Sequence, residues 1–400
     1  MKITVLKRAL LLGALSSSLA GCVAGGGDGH SSFNPSDLPY TQADFDTVPK
    51  IDAHVHANMY DPSFLALLRD TGFQALSINV DYPDFPSLDQ QAAAAHRYHA
   101  QDPGVFQFTT TFSMDGFETA GWSSRTNAHL DREFDAGAIG VKVWKNIGMV
   151  ERNQAGDLIM LDDPGFDTVM AHIEQRGMPL IAHQAEPYNC WLPLDQMTTE
   201  NDRLYFEAHP EYHMYLHPEM PSYRDLMDAR NRFVGAHPGL QVMGAHLGSI
   251  EWSVEELAEF LDTYPNAVVD MAARMSNLQY QSNRDREAVR DFLIRYQDRV
   301  LYATDLTLSP LSDEAKAQNP PIDPGADFAA SAESVWRSDW TYLATPDSQY
   351  VDTLKADVPG LALPRSVIRK IYYDNARRVF PAFAQASYRS KPTVRAASRM

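Results

Sequence analysis

The chain has 400 residues, 44% of them hydrophobic, which is enough to form a large buried core. Its 52 acidic residues outnumber its 34 lysines and arginines, and no basic patch or stripe is visible, so a nucleic-acid-binding function is excluded. Two cysteines, Cys22 and Cys190, are too few for a disulfide framework or a cysteine-rich zinc site.

The N-terminus has the pattern of an exported protein. A basic start, residues 2–8, precedes an apolar run at 9–15 that is too short to span a membrane. Leu19-Ala20-Gly21-Cys22 follows and resembles a bacterial lipobox, in which Cys22 becomes the lipidated first residue of the mature chain. The alternative is an ordinary signal peptide with a chance cysteine. Val23 occupies the position of an inner-membrane retention aspartate, which by the same resemblance favours the outer membrane.

These features predict the organisation of the first 47 residues. Residues 1–21 form a lipoprotein signal peptide, and residues 22–47, rich in Gly, Ser, Asp and Pro, form a flexible tether that starts at lipidated Cys22. We therefore expect a protein held at a membrane by its lipid anchor, in the cell envelope. The expected location is the outer membrane, facing the periplasm or the exterior.

Residues 48–382 alternate between short apolar segments and helical patterns. Continuous apolar strands suit a parallel sheet that is buried on both faces. Eight such units predict a (β/α)₈ TIM barrel. The alternative is a doubly wound open sheet, but no glycine-rich phosphate loop follows the first strand. The predicted strands are Lys50–Val55, Ala75–Val80, Phe106–Phe112, Ile139–Trp144, Pro179–His183, Gln241–His246, Ala267–Met271 and Val300–Thr304.

Helix signals fall between these strands. Asp163-Pro164 offers an N-cap and a first-turn proline, and Ser253 to Glu256 has the spacing of a capping box. Pro364–Phe380 has the pattern of a late amphipathic helix. The connection from His183 to Gln241 is too long for a plain loop and predicts a long insertion after the fifth strand, over the mouth of the barrel. Residues 383–400 lack an apolar period and are expected to form a disordered tail.

Polar side chains that can bind metal stand at the ends of four predicted strands. His54 and His56 end the first strand and, two residues apart, point to the same face. His183 ends the fifth strand, His246 the sixth, and Asp305 follows the eighth. In barrel enzymes the chemistry takes place at this end of the strands. Two imidazoles so placed can hold a divalent metal.

With these residues, and with the closing segment Tyr373–Phe380, the chain resembles the amidohydrolase superfamily, and more closely its amidohydrolase-related branch. That branch includes lactone and amide hydrolases, a hydratase and metal-dependent decarboxylases. The resemblance implies that His54, His56 and His183 bind one divalent metal, with Asp305 as a ligand or near-ligand that takes a proton from bound water. It implies that His246 polarises the substrate or serves as a second acid or base.

The metal is expected to be Zn²⁺, although this set of donors also suits Mn, Fe or Co. The fourth strand carries Lys142 and Lys145 near its end. Binuclear members of the superfamily use a carboxylated lysine from this strand to bridge two metals, so a second metal bridged by Lys142, or by Lys145, is one alternative. The other alternative is that this lysine forms an ion pair or binds substrate.

Further candidates are expected to contact a small-molecule substrate. They are Glu186, three residues after His183, Trp144 at the end of the fourth strand, and Arg274 just past the seventh. Arg274 could clamp a carboxylate or pair with Asp270. Aromatic residues in the insertion suit a cyclic or sugar-like molecule. The histidines at 209, 213 and 217 are expected to pack in a lid and not to bind metal.

Three functions are compatible with these residues. The first is a hydrolase in which metal-bound hydroxide attacks a C–O or C–N bond of a lactone, ester or amide. The second is a metal-dependent non-oxidative decarboxylase on the same site, in which Arg274 would matter more. The third is a barrel that only binds ligands, which the presence of all five site residues argues against.

Overall fold

The computed structural model describes residues 38–311 and 323–385. The predicted signal peptide, Cys22 and most of the predicted tether lie outside these ranges, as does the tail beyond residue 385. Within the described ranges no helix is long and apolar enough to cross a membrane.

The central element is a parallel sheet that closes into a barrel. Each strand pairs in parallel with the next along the chain, which is the order of a (β/α)₈ barrel. The fold prediction is confirmed, and each predicted strand position is occupied. The strands are β1 (Lys50–Ala57), β2 (Phe73–Ile78), β3 (Phe106–Thr111), β4 (Val141–Val143), β5 (Leu180–Ala182), β6 (Val242–Gly244), β7 (Ala267–Asp270), β8 (Val300–Leu301) and β9 (Leu306–Leu308).

The eighth barrel position is shared by β8 and β9. The predicted strand Val300–Thr304 stops at Leu301, and the chain then pairs with β1 again from Leu306 onward. Asp305 between them has a left-handed φ of 70° and donates its N–H to His54 O at 2.8 Å. The break therefore turns the Asp305 side chain towards the barrel mouth while the ring of strands stays closed.

Helices alternate with the strands, and their starts follow capping rules. The side chains of Asp61, Ser87, Ser222 and Asp285 each accept a hydrogen bond from a first-turn N–H. The predicted capping box at Ser253 is half formed, since Ser253 caps Glu256 N but no return bond from Glu256 is present. The helices are α1 (Pro62–Thr71), α2 (Leu88–Gln101), α3 (Trp122–Asp135), α4 (Asp167–Gln175), α5 (Glu200–Ala208), α6 (Tyr223–Ala236), α7 (Val254–Thr263), α8 (Met275–Arg284), α9 (Arg286–Arg295), α10 (Pro324–Ala344), α11 (Arg365–Arg369), α12 (Asn375–Val379) and α13 (Ala382–Gln385).

The predicted late helix Pro364–Phe380 is interrupted. Its middle, Lys370–Asp374, forms a π-helical turn between α11 and α12. Beyond it Phe383 is 1% exposed and packs with Phe380 against the barrel interior. Phe383 thus packs on the barrel one residue beyond 382, the domain end that the sequence suggested.

The connection between β5 and β6 carries α5 and several 3₁₀ turns before the barrel helix α6. These turns, at Tyr188–Trp191, Leu194–Gln196, Pro210–Tyr212 and Met214–Leu216, have a small core of their own around Cys190, Phe206 and Met214. The segment forms one wall of a cavity above the barrel mouth.

Candidate active site

Strand β1 brings its two histidines to the barrel mouth. His54 is fully buried and His56 is 6% exposed. Their Nε2 atoms lie 3.3 and 3.1 Å from Asp305 Oδ1. One ligand atom from each of these three residues falls within 4.8 Å of the other two. The structure thus brings His54, His56 and Asp305 together in the geometry of a metal-binding group.

Hydrogen bonds on the far side of each ring fix its orientation. His54 Nδ1 donates to Asp270 Oδ2 at 2.9 Å, and His56 Nδ1 donates to the Ile78 carbonyl at 2.7 Å. With Nδ1 protonated, each Nε2 presents a lone pair towards Asp305. Such partners are usual for histidines that bind metal.

Asp270, which sequence analysis considered only as a partner for Arg274, therefore belongs to the site. Its second oxygen accepts from the backbone N–H groups of His246 and Ala272, at 2.7 and 3.1 Å. Burial alone would raise the pKa of Asp270, but His54 holds it below its ordinary value. An aspartate that ends a buried strand was the sequence feature that could have identified it.

His183 and His246 lie beside this group. Their rings are 4.2 Å apart, and the His246 ring is 5.1 Å from that of His54. Within the described part of the chain, the buried Nε2 atoms of His183 and His54 have no hydrogen-bond partner. His183 is not in the compact group of three, but it lines the same cavity as His56, His246 and Asp305.

A strained turn positions His246. Residues 246–249 all have left-handed φ values, between 56° and 64°, which costs roughly 1 kcal/mol or more at each non-glycine position. Gly244 permits the turn, because a Cβ there would lie 2.9 Å from Gly248 Cα. His246 Nδ1 donates to the Ala272 carbonyl at 2.9 Å, so its Nε2 is a bare acceptor.

Burial sets the charges of these groups. It lowers the pKa of His54 and His183 and brings that of His246 to about 3, so the three imidazoles are neutral at pH 7. Desolvation would raise the pKa of Asp305, but the surrounding histidines, His246 first, hold it well below its usual range. Neutral imidazoles beside an ionised carboxylate are the donor set that divalent transition metals favour.

Lys142 approaches the same cavity from β4. It is 1% exposed, and its Nζ has no hydrogen-bond partner among the described residues. Burial lowers its pKa to about 8, against the opposing effect of the Asp270 and Asp305 carboxylates. Lys145 instead forms an ion pair with Glu186. Of the two lysines, Lys142 is therefore the one whose amine is free, in the described ranges, to act beside the histidines and Asp305.

The predicted substrate residues fall into two places. Trp144 lines the cavity, and Glu186 is held at its wall by Lys145. Arg274 lines neither this cavity nor the larger one beside it, and its Nη1 donates to the Ala273 carbonyl. It does not pair with Asp270, because His54 and two backbone N–H groups occupy both Asp270 oxygens.

The aromatic and histidine residues of the β5–β6 connection mostly pack. Tyr188 lies against Tyr223 and Trp252. His213 Nε2 donates to the Leu192 carbonyl, and His217 Nε2 to the Pro210 carbonyl. The histidines at 209, 213 and 217 do not share a helix face, because the chain there forms two 3₁₀ turns.

Two cavities adjoin at the barrel mouth. The inner one, about 190 Å³, is lined by His56, His183, His246, Asp305 and Lys142 among others. The outer one, about 530 Å³, lies under the β5–β6 connection and shares Tyr82, Trp144 and Lys145 with the inner one. Together they have the size of a small-molecule site.

Solved structures with a similar fold include three enzymes. A probable 2-pyrone-4,6-dicarboxylic acid hydrolase from Acinetobacter baumannii is 12% identical, with 83% of this chain and 99% of that chain covered and a TM-score of 0.43. A 2,6-dihydroxybenzoate decarboxylase from Rhizobium is 14% identical (84% and 99%, TM-score 0.46). A 4-oxalomesaconate hydratase from Rhodopseudomonas palustris is 11% identical (84% and 97%, TM-score 0.43). At these values the likenesses carry no weight for the reaction.

The sequence comparisons are more decisive. No curated protein sequence matches the chain. The family model described as Amidohydrolase matches residues 51–382, which is nearly the whole barrel and includes every residue of the site. The chain therefore belongs to the amidohydrolase family of metal-dependent enzymes.

Proposed function

We propose that this enzyme hydrolyses a C–O or C–N bond in a lactone, ester or amide. The observation that carries the proposal is the group of His54, His56 and Asp305, with ligand atoms within 4.8 Å of one another at the inner cavity. The unpartnered Nε2 of His183 beside them supplies a further donor. We propose that this set holds one divalent cation, Zn²⁺.

A divalent cation at this place would polarise a carbonyl and make a water molecule more acidic. Asp305 is ionised, so it can take a proton from that water and pass it to the leaving group. His246 is neutral with Nδ1 bonded to Ala272 O, so it accepts a hydrogen bond at Nε2 and does not donate one. Its role is therefore that of a base or of an acceptor for a substrate hydroxyl.

Lys142 supplies the donor that His246 does not. Its buried Nζ has no other partner within the described ranges and lines the inner cavity with Asp305. We propose that this ammonium donates to the oxygen that gains negative charge. Two bound metals per chain would instead assign Lys142 as a carboxylated bridge.

The geometry gives the decarboxylase alternative less support. Such an enzyme must hold a carboxylate, and Arg274 was the residue predicted to do so. The Arg274 guanidinium donates to the Ala273 carbonyl and lines neither cavity. Its charge is nevertheless close enough to His183 and His246 to add to the effect of burial, which lowers the pKa of both.

The proposal is tested with a panel of lactones, esters, amides and aromatic acids, following both acid and CO₂ release. We expect hydrolysis without CO₂ release, and a loss of at least about 100-fold in Asp305→Asn, because a proton acceptor contributes roughly that much. Asp357→Asn, an exposed aspartate on the β10–β11 hairpin (Ser348–Val351 and Ala356–Pro359), is the matched control. CO₂ release from an aromatic acid without hydrolysis would establish the decarboxylase instead.

We also propose that the enzyme is lipid-anchored in the cell envelope through Cys22, in the outer membrane. The support is the sequence pattern of residues 1–23 alone.

A further inference from the structure

The outer cavity has a chemical character that the hydrolase proposal does not use. Its walls come from the loop after β2, the loop after β4 and the β5–β6 connection. It adjoins the inner cavity, with which it shares Tyr82, Trp144 and Lys145. A substrate whose scissile bond lies in the inner cavity must place its remaining part here.

The wall of this cavity is strongly acidic. Among the described residues its only lysine or arginine is Lys145, and Glu186 pairs with it. The other carboxylates are left without a lysine or arginine partner in the described chain. The six carboxylates of the wall are Asp81, Asp84, Glu151, Glu186, Glu211 and Glu219.

Asp81 and Glu151 are the half-buried members of this set that lack an ion pair among the described residues. Within the described part of the chain, the Glu151 carboxylate accepts only from the neutral Asn146 amide, at 3.2 Å. Burial, and then the charge of Glu151, raise the pKa of Asp81. The two carboxylates therefore repel one another, and a cation between them would relieve that repulsion.

Aromatic rings line the same space. The Tyr82 and Trp144 rings lie 4.8 Å apart, and those of Tyr205 and Tyr212 are nearly parallel at 6.5 Å. Burial and the charge of Glu186 raise the pKa of Tyr205 to about 12. The faces of such rings attract cations, and together with carboxylates they suit an ammonium group.

The inner cavity has the opposite character. The buried Nζ of Lys142 has no partner within the described residues and lies with the bare Nε2 atoms of the histidines. The Lys142 ammonium can donate at this end to an electron-rich carbonyl oxygen, whereas the bare Nε2 atoms are themselves acceptors. The two adjoining cavities are therefore polarised along the path that a substrate would occupy.

Resting on the hydrolase function, we propose that the substrate carries an ammonium group, protonated or quaternary, which the outer cavity binds while the carbonyl lies in the inner cavity. Asp81 and Glu151 are the residues that select the charge, and aromatic rings of the outer cavity contact the ammonium group. Dicarboxylates and aromatic acids are repelled by the same wall.

Three 4-nitroanilides of matched shape test the selection. Their acyl groups are 4-(trimethylammonio)butanoyl, its neutral carbon isostere 5,5-dimethylhexanoyl, and the anionic glutaryl. We expect kcat/KM for the cation to exceed that for the isostere about tenfold, with glutaryl lowest. In Asp81→Asn/Glu151→Gln this preference should disappear. Asp135→Asn/Asp352→Asn, which removes two carboxylates that are 81% and 84% exposed, should keep it.

A binding measurement separates this proposal from the hydrolase proposal. Calorimetric titration of the full chain with benzyltrimethylammonium and with benzoate needs no turnover. Binding of the cation only, weakened about tenfold by Asp81→Asn/Glu151→Gln, supports the inference even if no anilide is cleaved. Equal or tighter binding of benzoate, or cleavage that favours the neutral or anionic anilide, overturns it while leaving hydrolysis intact.

Discussion

Single residues hold this site in one protonation state. Asp270 is the clearest case, because one oxygen bonds the His54 ring and the other bonds the N–H groups of His246 and Ala272. The carboxylate thus fixes both the tautomer of one imidazole and the start of the turn that carries another. Its effect on the chemistry is indirect, which makes it a positioning residue.

We expect Asp270→Asn to weaken metal binding roughly 10- to 100-fold, as loss of such hydrogen-bond partners usually does. An asparagine that accepts from the two N–H groups must present its amide to His54. His54 then takes its proton on Nε2 and loses the lone pair that faces Asp305. Competition titration with a chromophoric chelator measures the affinity, with the exposed Asp262→Asn as control. Unchanged affinity in a folded variant would show that Asp270 only supports the backbone.

The sequence predicted much of the site at this scale. His54, His56, His183, His246 and Asp305 were expected at one end of the barrel, because the carboxyl ends of parallel strands meet at a common rim, and in the structure these side chains lie together there. The left-handed conformation of Asp305 and the pairing of Lys145 with Glu186 were not predictable. They depend on loop paths, which leave no periodic pattern in the sequence.

Among the elements, α10 ties the barrel wall to the site. Trp336 Nε1 donates to Asp52 Oδ2 at 2.9 Å, and Tyr302 donates to Asp339 Oδ2 at 2.9 Å. Trp336 also stacks on Phe73 at 4.1 Å. Asp339 is buried beside Asp52 and two tyrosines, and burial raises its pKa to about 7. The helix is thus held by a polar contact that changes charge near neutral pH.

This contact predicts a pH-dependent effect on stability. The pKa of Asp339 in the folded protein lies above the unfolded value of 3.8. The protonated carboxyl therefore contributes fully to the free energy of unfolding below pH 3.8, and this contribution is lost as the pH rises towards 7. Asp339→Asn cannot ionise. The free energy of unfolding of this variant minus that of the parent should therefore be larger at pH 8 than at pH 5. Urea titrations at both pH values measure this difference.

Asp327→Asn, on the exposed part of the same helix, controls for loss of a carboxylate from α10. A difference between Asp339→Asn and the parent that stays constant across this pH range would contradict a raised pKa.

Strands were easier to predict than helices in this chain. Each predicted strand exists because buried parallel strands leave short apolar runs between turns. The helix α10 was not predicted, although Asp323 caps it and Pro324 starts it. Its small residues and tryptophans have no strong apolar stripe. The π-helical turn at Lys370–Asp374 likewise depends on packing against β1 and β8, not on local sequence.

On the scale of the whole molecule, we propose that the N-terminal segment decides where the enzyme acts. A lipid on Cys22 would hold the barrel at a membrane through the tether that follows. We expect Cys22→Ser to block lipidation and to move the protein from the membrane fraction to the soluble fraction, without change in specific activity. Fractionation after labelling with a fatty-acid analogue measures both effects. Equal labelling of parent and variant would refute the lipid anchor.

We propose that β1, β5 and the β8–β9 junction converge on one divalent cation. Metal content per chain, measured by elemental mass spectrometry on the reconstituted protein and on His54→Ala/His56→Ala, tests it most directly. We predict about one equivalent in the parent and none in the variant, whose circular dichroism should remain that of a folded barrel. A folded parent that binds no metal, or a variant that keeps it, would contradict the account.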